Sequence, residues 1–147
     1  MSVYVMSDIH GEGELFHRML EEIRFSDDDI LYILGDVIDR GPDGIELLRE
    51  IKSKKNIIML LGNHEYMMLQ CYREKPSAFD CFHWGRNGNA FTMDAFRRLN
   101  LEEQQSILDY IKRLPTHAEI CVGGFDYYLV HDRVRSEERF SRNAETD

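Results

Sequence analysis

The sequence predicts an α/β fold built on a mostly parallel sheet. Three observations carry that reading. Short apolar runs alternate with stretches whose apolar residues recur at helical spacing. A helical stretch separates each of the first three runs from the next, as parallel strands require. Those three runs also end alike, in VYVMSDIHG, LYILGDVIDRG and IIMLLGNHE, where an apolar segment meets Ser or Gly and then Asp or Asn.

Taken in order, Val3–Met6 is a short buried strand. Glu14–Phe25 sets Leu15, Phe16, Met19, Leu20 and Ile23 on one helical stripe. Ile30–Leu34 is a second strand, entered through Asp27-Asp28-Asp29. Gly44–Lys52 spaces Ile45, Leu47, Leu48 and Ile51 as a helix does. Asn56–Leu61 is a third strand, and Glu65–Tyr72 a third helix. Between Arg73 and Asn100, KPSAFD and HWGRNGN read as loop, and Thr92–Leu99 as a short helix. Asn100 with Glu103 resembles a capping pair that opens a helix running to Leu114, with Pro115 past its end. Glu119–Val122 and Tyr127–Val130 flank Gly123-Gly124-Phe125-Asp126 and predict a β-hairpin. Residues 132–147, DRVRSEERFSRNAETD, form a polar tail without the pattern of a core element. The expectation is one domain over residues 1–131, followed by that tail.

With 147 residues, the chain is long enough for one domain with a real core. Its net charge of −9 argues against a nucleic-acid partner. No apolar run is long enough to span a membrane, and the N-terminus lacks the basic and apolar regions of a signal peptide. Cys71, Cys81 and Cys121 form no CxxC pair, which fits a reducing, cytoplasmic setting better than a disulfide scaffold.

The carboxyl ends of parallel strands share one edge of the sheet, so Asp8, His10, Asp36, Asp39, Asn63 and His64 are expected to converge there. Asp, Asn and Gly are also ordinary turn residues, and SDIHG alone would mean little. Three such ends in one chain are a different matter. Asp8 and Asp36 would repel each other unless a divalent cation used their lone pairs. The set offers carboxylate, amide and imidazole donors and no sulfur, which suits Mn, Fe or Zn better than Ca or Mg.

DIHG, GDVIDRG and GNHE resemble the calcineurin-like metallophosphoesterases, most closely the bacterial and phage branch of the serine/threonine phosphoprotein phosphatases. The DRG form and the Glu of GNHE favour that branch. HWGRNGN, residues His83–Asn89, is similar to its Trp…Asn-Gly-Gly stretch, with Asn89 where a second Gly is usual. YYLVHD resembles the strand that delivers a later metal-binding histidine, His131, with Asp132 where a small residue is usual. The resemblance covers about residues 1–131. It implies a β-sandwich flanked by helices, of which this chain holds the N-terminal portion.

The resemblance further implies two divalent metals, manganese first, with iron or zinc as alternatives. Asp8 and His10 hold the first, Asp36 bridges both, and Asn63 and His131 hold the second. His64 is the general acid and Asp39 orients its ring. Arg40 grips the substrate phosphate, with Asn63 beside it. Two dications against two carboxylates leave the site positive, ready for a phosphoryl dianion, and a hydroxide between them attacks phosphorus. The implied reaction is phosphomonoester hydrolysis, with a phosphorylated protein or small phosphoester as substrate. A diadenosine tetraphosphate hydrolase shares most of the motifs, and a non-catalytic metal- or phosphate-binding relic is the remaining alternative. The relic reading rests on a departure: the family's last ligand, a histidine in a Gly-His pair, has no counterpart here. The second metal site is therefore expected to be weak, and self-association is expected where further strands would pack. The family's second phosphate-binding arginine is not assignable among Arg133, Arg135, Arg139 and Arg142. His17 and His117 read as structural, and His83 as packing.

Overall fold

The computed structural model describes residues 1–131. The predicted polar tail and its four arginines lie outside the described residues. Eleven elements follow in mixed α/β order: β1 (Val3–Met6), α1 (Gly13–Glu22), β2 (Ile30–Ile33), α2 (Gly44–Ser53), β3 (Ile57–Met59), α3 (Asn63–Tyr72), α4 (Ala78–Arg86), α5 (Ala90–Arg97), α6 (Leu101–Lys112), β4 (His117–Val122) and β5 (Phe125–Val130).

β1, β2 and β3 form a parallel sheet in that order, and β4 and β5 an antiparallel pair. In the parallel sheet Tyr4 stands beside Leu31 and Leu31 beside Ile57, while Met6, Ile33 and Met59 make the next such row. Leu31, Ile33, Ile57 and Met59 are buried against a core that includes Ile45, Leu48 and Ile51 of α2, Met67 and Met68 of α3, and Ile107 and Ile111 of α6. Apolar residues at helical spacing turn one face of each of these helices inward. Leu15 and Met19, expected to face the core from the first helix, are exposed; Phe16 is the large side chain that α1 buries.

The reading of KPSAFD and HWGRNGN as loop is corrected by the structure, while the short helix expected at Thr92–Leu99 is α5, two residues earlier at each end. KPSAFD and HWGRNGN contribute the helix α4, and Asn87 through Asn89 make the turn into α5. α4 opens on a reciprocal cap: Ser77 Oγ accepts from the Asp80 backbone N–H and the Asp80 carboxylate accepts from that of Ser77, each at 3.1 Å. Asn100 caps α6 as expected, accepting from the Glu103 N–H at 2.8 Å. The hairpin is tighter than expected. Phe125 and Asp126 belong to β5, and the turn is Gly123-Gly124 alone, with positive φ at both residues as a two-residue turn demands.

The expectation of unpaired cysteines is likewise corrected. The short connection between α3 and α4 brings the Cys71 and Cys81 Cα atoms to 4.7 Å, and the two are disulfide-bonded; Cys121 is free and exposed. Among the described residues no helix is long and apolar enough to cross a membrane.

Candidate metal centre

Three strand-end loops meet at the carboxyl edge of the parallel sheet. Asp8 and His10 follow β1; Asp36, Asp39 and Arg40 follow β2; Asn63 and His64 open α3 just after β3. The first two loops lie side by side, with backbone N–H groups of Asp8, His10 and Gly11 donating to the carbonyls of Gly35, Asp36 and Val37. The conformation is costly. Asp8, His10, Asp36, Asp39 and Arg40 all have positive φ, between 45° and 74°, at about 1–3 kcal/mol each. Only one other non-glycine residue among those described, Arg24, shares that feature. Two glycines make the approach possible: a Cβ on Gly35 would meet the Gly62 backbone at 2.5 Å, and one on Gly62 would meet the Asp36 nitrogen at 2.3 Å.

Asp36 stands at the junction of two donor groups. In one, Asp8, Asp36 and His131 each offer a ligand atom within 4.8 Å of the others; in the other, His10, Asp36 and His64 do the same. His10 Nδ1 donates to the Ile38 carbonyl at 2.9 Å, which fixes the tautomer and leaves Nε2 as an acceptor. That Nε2 lies 3.5 Å from Asp8 and 3.8 Å from Asp36. His131 arrives from the end of β5, with Nε2 2.9 Å from Asp36 Oδ2 and Nδ1 3.3 Å from the Ser7 hydroxyl.

The chemistry of these donors fits divalent metal. Asn63 Oδ1 lies 2.9 Å from His131 Nε2 and faces the two Asp36 carboxylate oxygens, an acceptor among acceptors. Either the amide turns to donate its N–H₂ to Asp36, or a cation among these groups satisfies all of them. Asp36, Asp8, His10, Asn63 and His131 are the residues that could hold such ions. Burial pushes the Asp36 carboxyl up, but hydrogen bonds from His131 and the His64 backbone, with the His131 charge, outweigh it and hold the group below the ordinary value. His131 is raised, first by its hydrogen bond to Asp36 and further by the Asp36 charge, against the effect of burial.

Beside the donors stands a second arrangement. His64 and Asp39 are both buried, and Asp39 Oδ2 accepts from His64 Nδ1 at 2.6 Å. The remaining ring nitrogen, Nε2, is left free of Asp39, and the His64 ring meets that of His10 edge-on, with centroids 4.7 Å apart. The resemblance places His64 outside the ligand set; the geometry puts one of its nitrogens within ligand range as well. Arg40 is exposed, its backbone N–H tied to the Gly88 carbonyl and its side chain without an ion pair among the described residues.

The contacts of three residues at the site escaped sequence reasoning. Glu65 is wholly buried and its carboxylate accepts from the backbone N–H groups of Asp36, Val37, Ile38 and Gly62 at 2.7 to 3.2 Å. Burial, followed by the Asp36 charge, pushes it up to about 7 against those bonds. Trp84 Nε1 donates to Asp39 Oδ2 at 2.8 Å, and Thr92 Oγ1 accepts from the Asp39 backbone N–H at 3.0 Å. The Ser77-x-x-Asp80 cap was the signal that would have set Trp84 on a helix. His83 is away from the donors, stacked on Phe79.

Residues 1–147 match the family model for calcineurin-like phosphoesterase. A symmetrical bis(5'-nucleosyl)-tetraphosphatase from Wigglesworthia glossinidia brevipalpis is 49% identical over 74 residues, 49% of this chain and 27% of its own. One from Buchnera aphidicola is 30% identical, over 86% of this chain and 54% of its own. Serine/threonine-protein phosphatase 2 of Escherichia coli is 32% identical, over 95% of this chain and 62% of its own. The chain thus spans less than two thirds of each of these relatives. Among solved structures, a putative diadenosine tetraphosphatase shares the fold at a TM-score of 0.58 and 18% identity, covering 92% of this chain and 58% of that one.

Proposed function

The chain belongs to the calcineurin-like phosphoesterases, and from that premise we propose that it is a divalent-metal-dependent phosphoester hydrolase acting on phosphoserine or phosphothreonine. The observation that carries the reading is the buried Asp39–His64 pair, 2.6 Å apart, beside donor groups that meet at Asp36. Asp36, Asp8, His10, Asn63 and His131 would hold the metals. When bound, the ions supply an acidified water and an electrostatic clamp for phosphate oxygens. Manganese suits this mixed oxygen and nitrogen set.

The remaining work falls to the chain's own side chains. His64 carries a proton on Nε2 toward the leaving oxygen, while Asp39 holds Nδ1–H and so fixes the ring's direction. A proton donor so placed contributes ~10²–10⁴-fold. Arg40, exposed at the rim, would offer a planar fork of donors to phosphate oxygens, with Asn63 as a second contact for the substrate. A seryl or threonyl alkoxide is a strong base that leaves slowly without a proton. That requirement is why a buried, oriented acid favours an alkyl phosphomonoester.

A second reading is symmetrical cleavage of a dinucleoside tetraphosphate, and the names of the Wigglesworthia and Buchnera relatives favour it. The test is an Mn²⁺-supplemented assay with a phosphoserine peptide and diadenosine tetraphosphate side by side. Phosphate released from the peptide, abolished by chelation, is the expected result. Nucleoside diphosphate from the dinucleotide with no phosphate from the peptide would overturn the phosphoserine reading in favour of the second. No hydrolysis of either would leave a metal-binding protein without this chemistry.

A further inference from the structure

We propose that Trp84 is a positioning residue for the proton donor, acting through Asp39; the inference rests on the reading of His64 as general acid. Asp39 is wholly buried, and among the described residues its carboxylate receives two donors, both at Oδ2: His64 Nδ1 at 2.6 Å and Trp84 Nε1 at 2.8 Å. The other oxygen, Oδ1, is buried without a hydrogen-bond partner among the described residues. Among the described residues nothing else on the side chain fixes the plane in which the carboxylate meets the imidazole.

Such a carboxylate turns easily about its last bond. The indole N–H prevents this, because turning Oδ2 away from His64 would also break the bond to Trp84. The backbone is anchored separately, through the Asp39 N–H to Thr92 Oγ1 at 3.0 Å, so the indole acts on the side chain itself. Trp84 has no room to adjust: it is 0% exposed, seated on α4, with the Tyr72 ring edge-on at 5.7 Å. Three elements therefore meet at one oxygen. The loop after β2 brings the carboxylate, α3 the imidazole and α4 the indole. A buried tryptophan usually finds a partner for its N–H, but here that partner is the group that aims the acid.

A core tryptophan and a positioning tryptophan make different predictions about the leaving group. Proton donation matters greatly when an alkoxide leaves and little when nitrophenolate leaves, because nitrophenolate is stable without a proton. Replacing Trp84 with Phe keeps an aromatic ring in the core and removes the N–H. The experiment measures kcat on phosphoserine and on p-nitrophenyl phosphate for the Mn²⁺-loaded parent, Trp84→Phe and His64→Asn proteins. Both substrates are run on one preparation of each, so that loss of folded protein cancels in the ratio. For Trp84→Phe the phosphoserine to nitrophenyl ratio is expected to fall about 10–100-fold, the scale of a lost hydrogen bond to a charged group. His64→Asn should lower the ratio at least as far. Equal losses on both substrates for Trp84→Phe, or no loss on either, with His64→Asn still selective, would overturn the positioning role alone. Equal losses for His64→Asn, or a parent that turns over neither substrate, would overturn the general-acid reading and this inference with it.

Discussion

Glu65 has no exposed surface, yet its carboxylate accepts from three backbone N–H groups on the turn that presents Asp36 and from a fourth, that of Gly62, at the start of α3. A Gln there would aim an amide nitrogen at backbone donors, and each buried group left unmet costs about 1–3 kcal/mol. Glu65→Gln is expected to lower the unfolding free energy by about 3 kcal/mol and to weaken Mn²⁺ binding by at least ~10-fold; urea denaturation and calorimetry read the two effects. Unchanged values in both would remove Glu65 from the frame of the site. Protons report on the same residues in the metal-free protein. Glu65 is raised from 4.5 to about 7 and His131 is raised above 6.5. Each therefore binds its proton more tightly folded than unfolded. Their contributions are complete below 4.5 and 6.5 respectively and drain away as pH climbs through the raised folded values. Asp36 is lowered from 3.8, so its contribution is present above 3.8 and lost as pH falls through the lowered value. In chelator, thermal melts should show a Tm that falls between pH 4.5 and about pH 7, the span over which Glu65 holds its proton only in the folded protein. With Mn²⁺ the drop should shrink or reverse, because metal needs His131 deprotonated. A chelated protein whose Tm rises over that interval would contradict this. Asp8, His10, Asp36, Asn63 and His64 were legible in the sequence because strand-end motifs mark their places. Glu65 and Trp84 stand in GNHE and HWGRNGN, but their hydrogen-bond partners lie up to 45 positions away, which no local pattern reveals.

At the scale of elements, α4 was the part least visible in the sequence. Among its side chains only Trp84 is buried, Gly85 interrupts it, and Phe79 and Phe82 are exposed, so no inward stripe announces a helix. What holds it is α3: the Cys71–Cys81 bridge, the Tyr72–Trp84 ring contact and an Arg73–Asp80 ion pair at 2.5 Å. The bridge closes a short loop, for which about 2–3 kcal/mol is the expected worth. Reduction should therefore lower Tm measurably, and a Cys71→Ser, Cys81→Ser double variant should melt at the reduced value with or without reductant. A melt indifferent to reductant in the parent would mean that the two sulfurs remain thiols. By contrast, β1 through α3 were legible to within three residues at each end, because the strands show as short apolar runs and the helices by a period of 3.6. α3 begins two residues earlier than its apolar pattern, at Asn63, since the Glu65 carboxylate accepts from the Gly62 N–H and Asp36 Oδ1 accepts from the His64 N–H at its start.

For the whole molecule, the described residues cover the parallel sheet on one face only. Val5, Tyr32 and Ile58 stand side by side across the three strands, with Val5 46% and Ile58 36% exposed. Parallel sheets are normally covered on both faces, and contiguous apolar patches drive association. The chain is expected to self-associate through this face, with light scattering showing a mass above one chain and Ile58→Arg restoring the monomer. A monodisperse monomer for the parent would refute it. The central claim is that Asp36 organises metal binding while His64 serves chemistry. Mn²⁺ content after equilibrium dialysis, measured alongside turnover, tests it most directly. Asp36→Asn should lose both metal and activity. His64→Asn should keep nearly the parent's metal content while kcat falls ~10²-fold or more. A His64→Asn protein stripped of metal, with turnover per bound ion unchanged, would contradict the account.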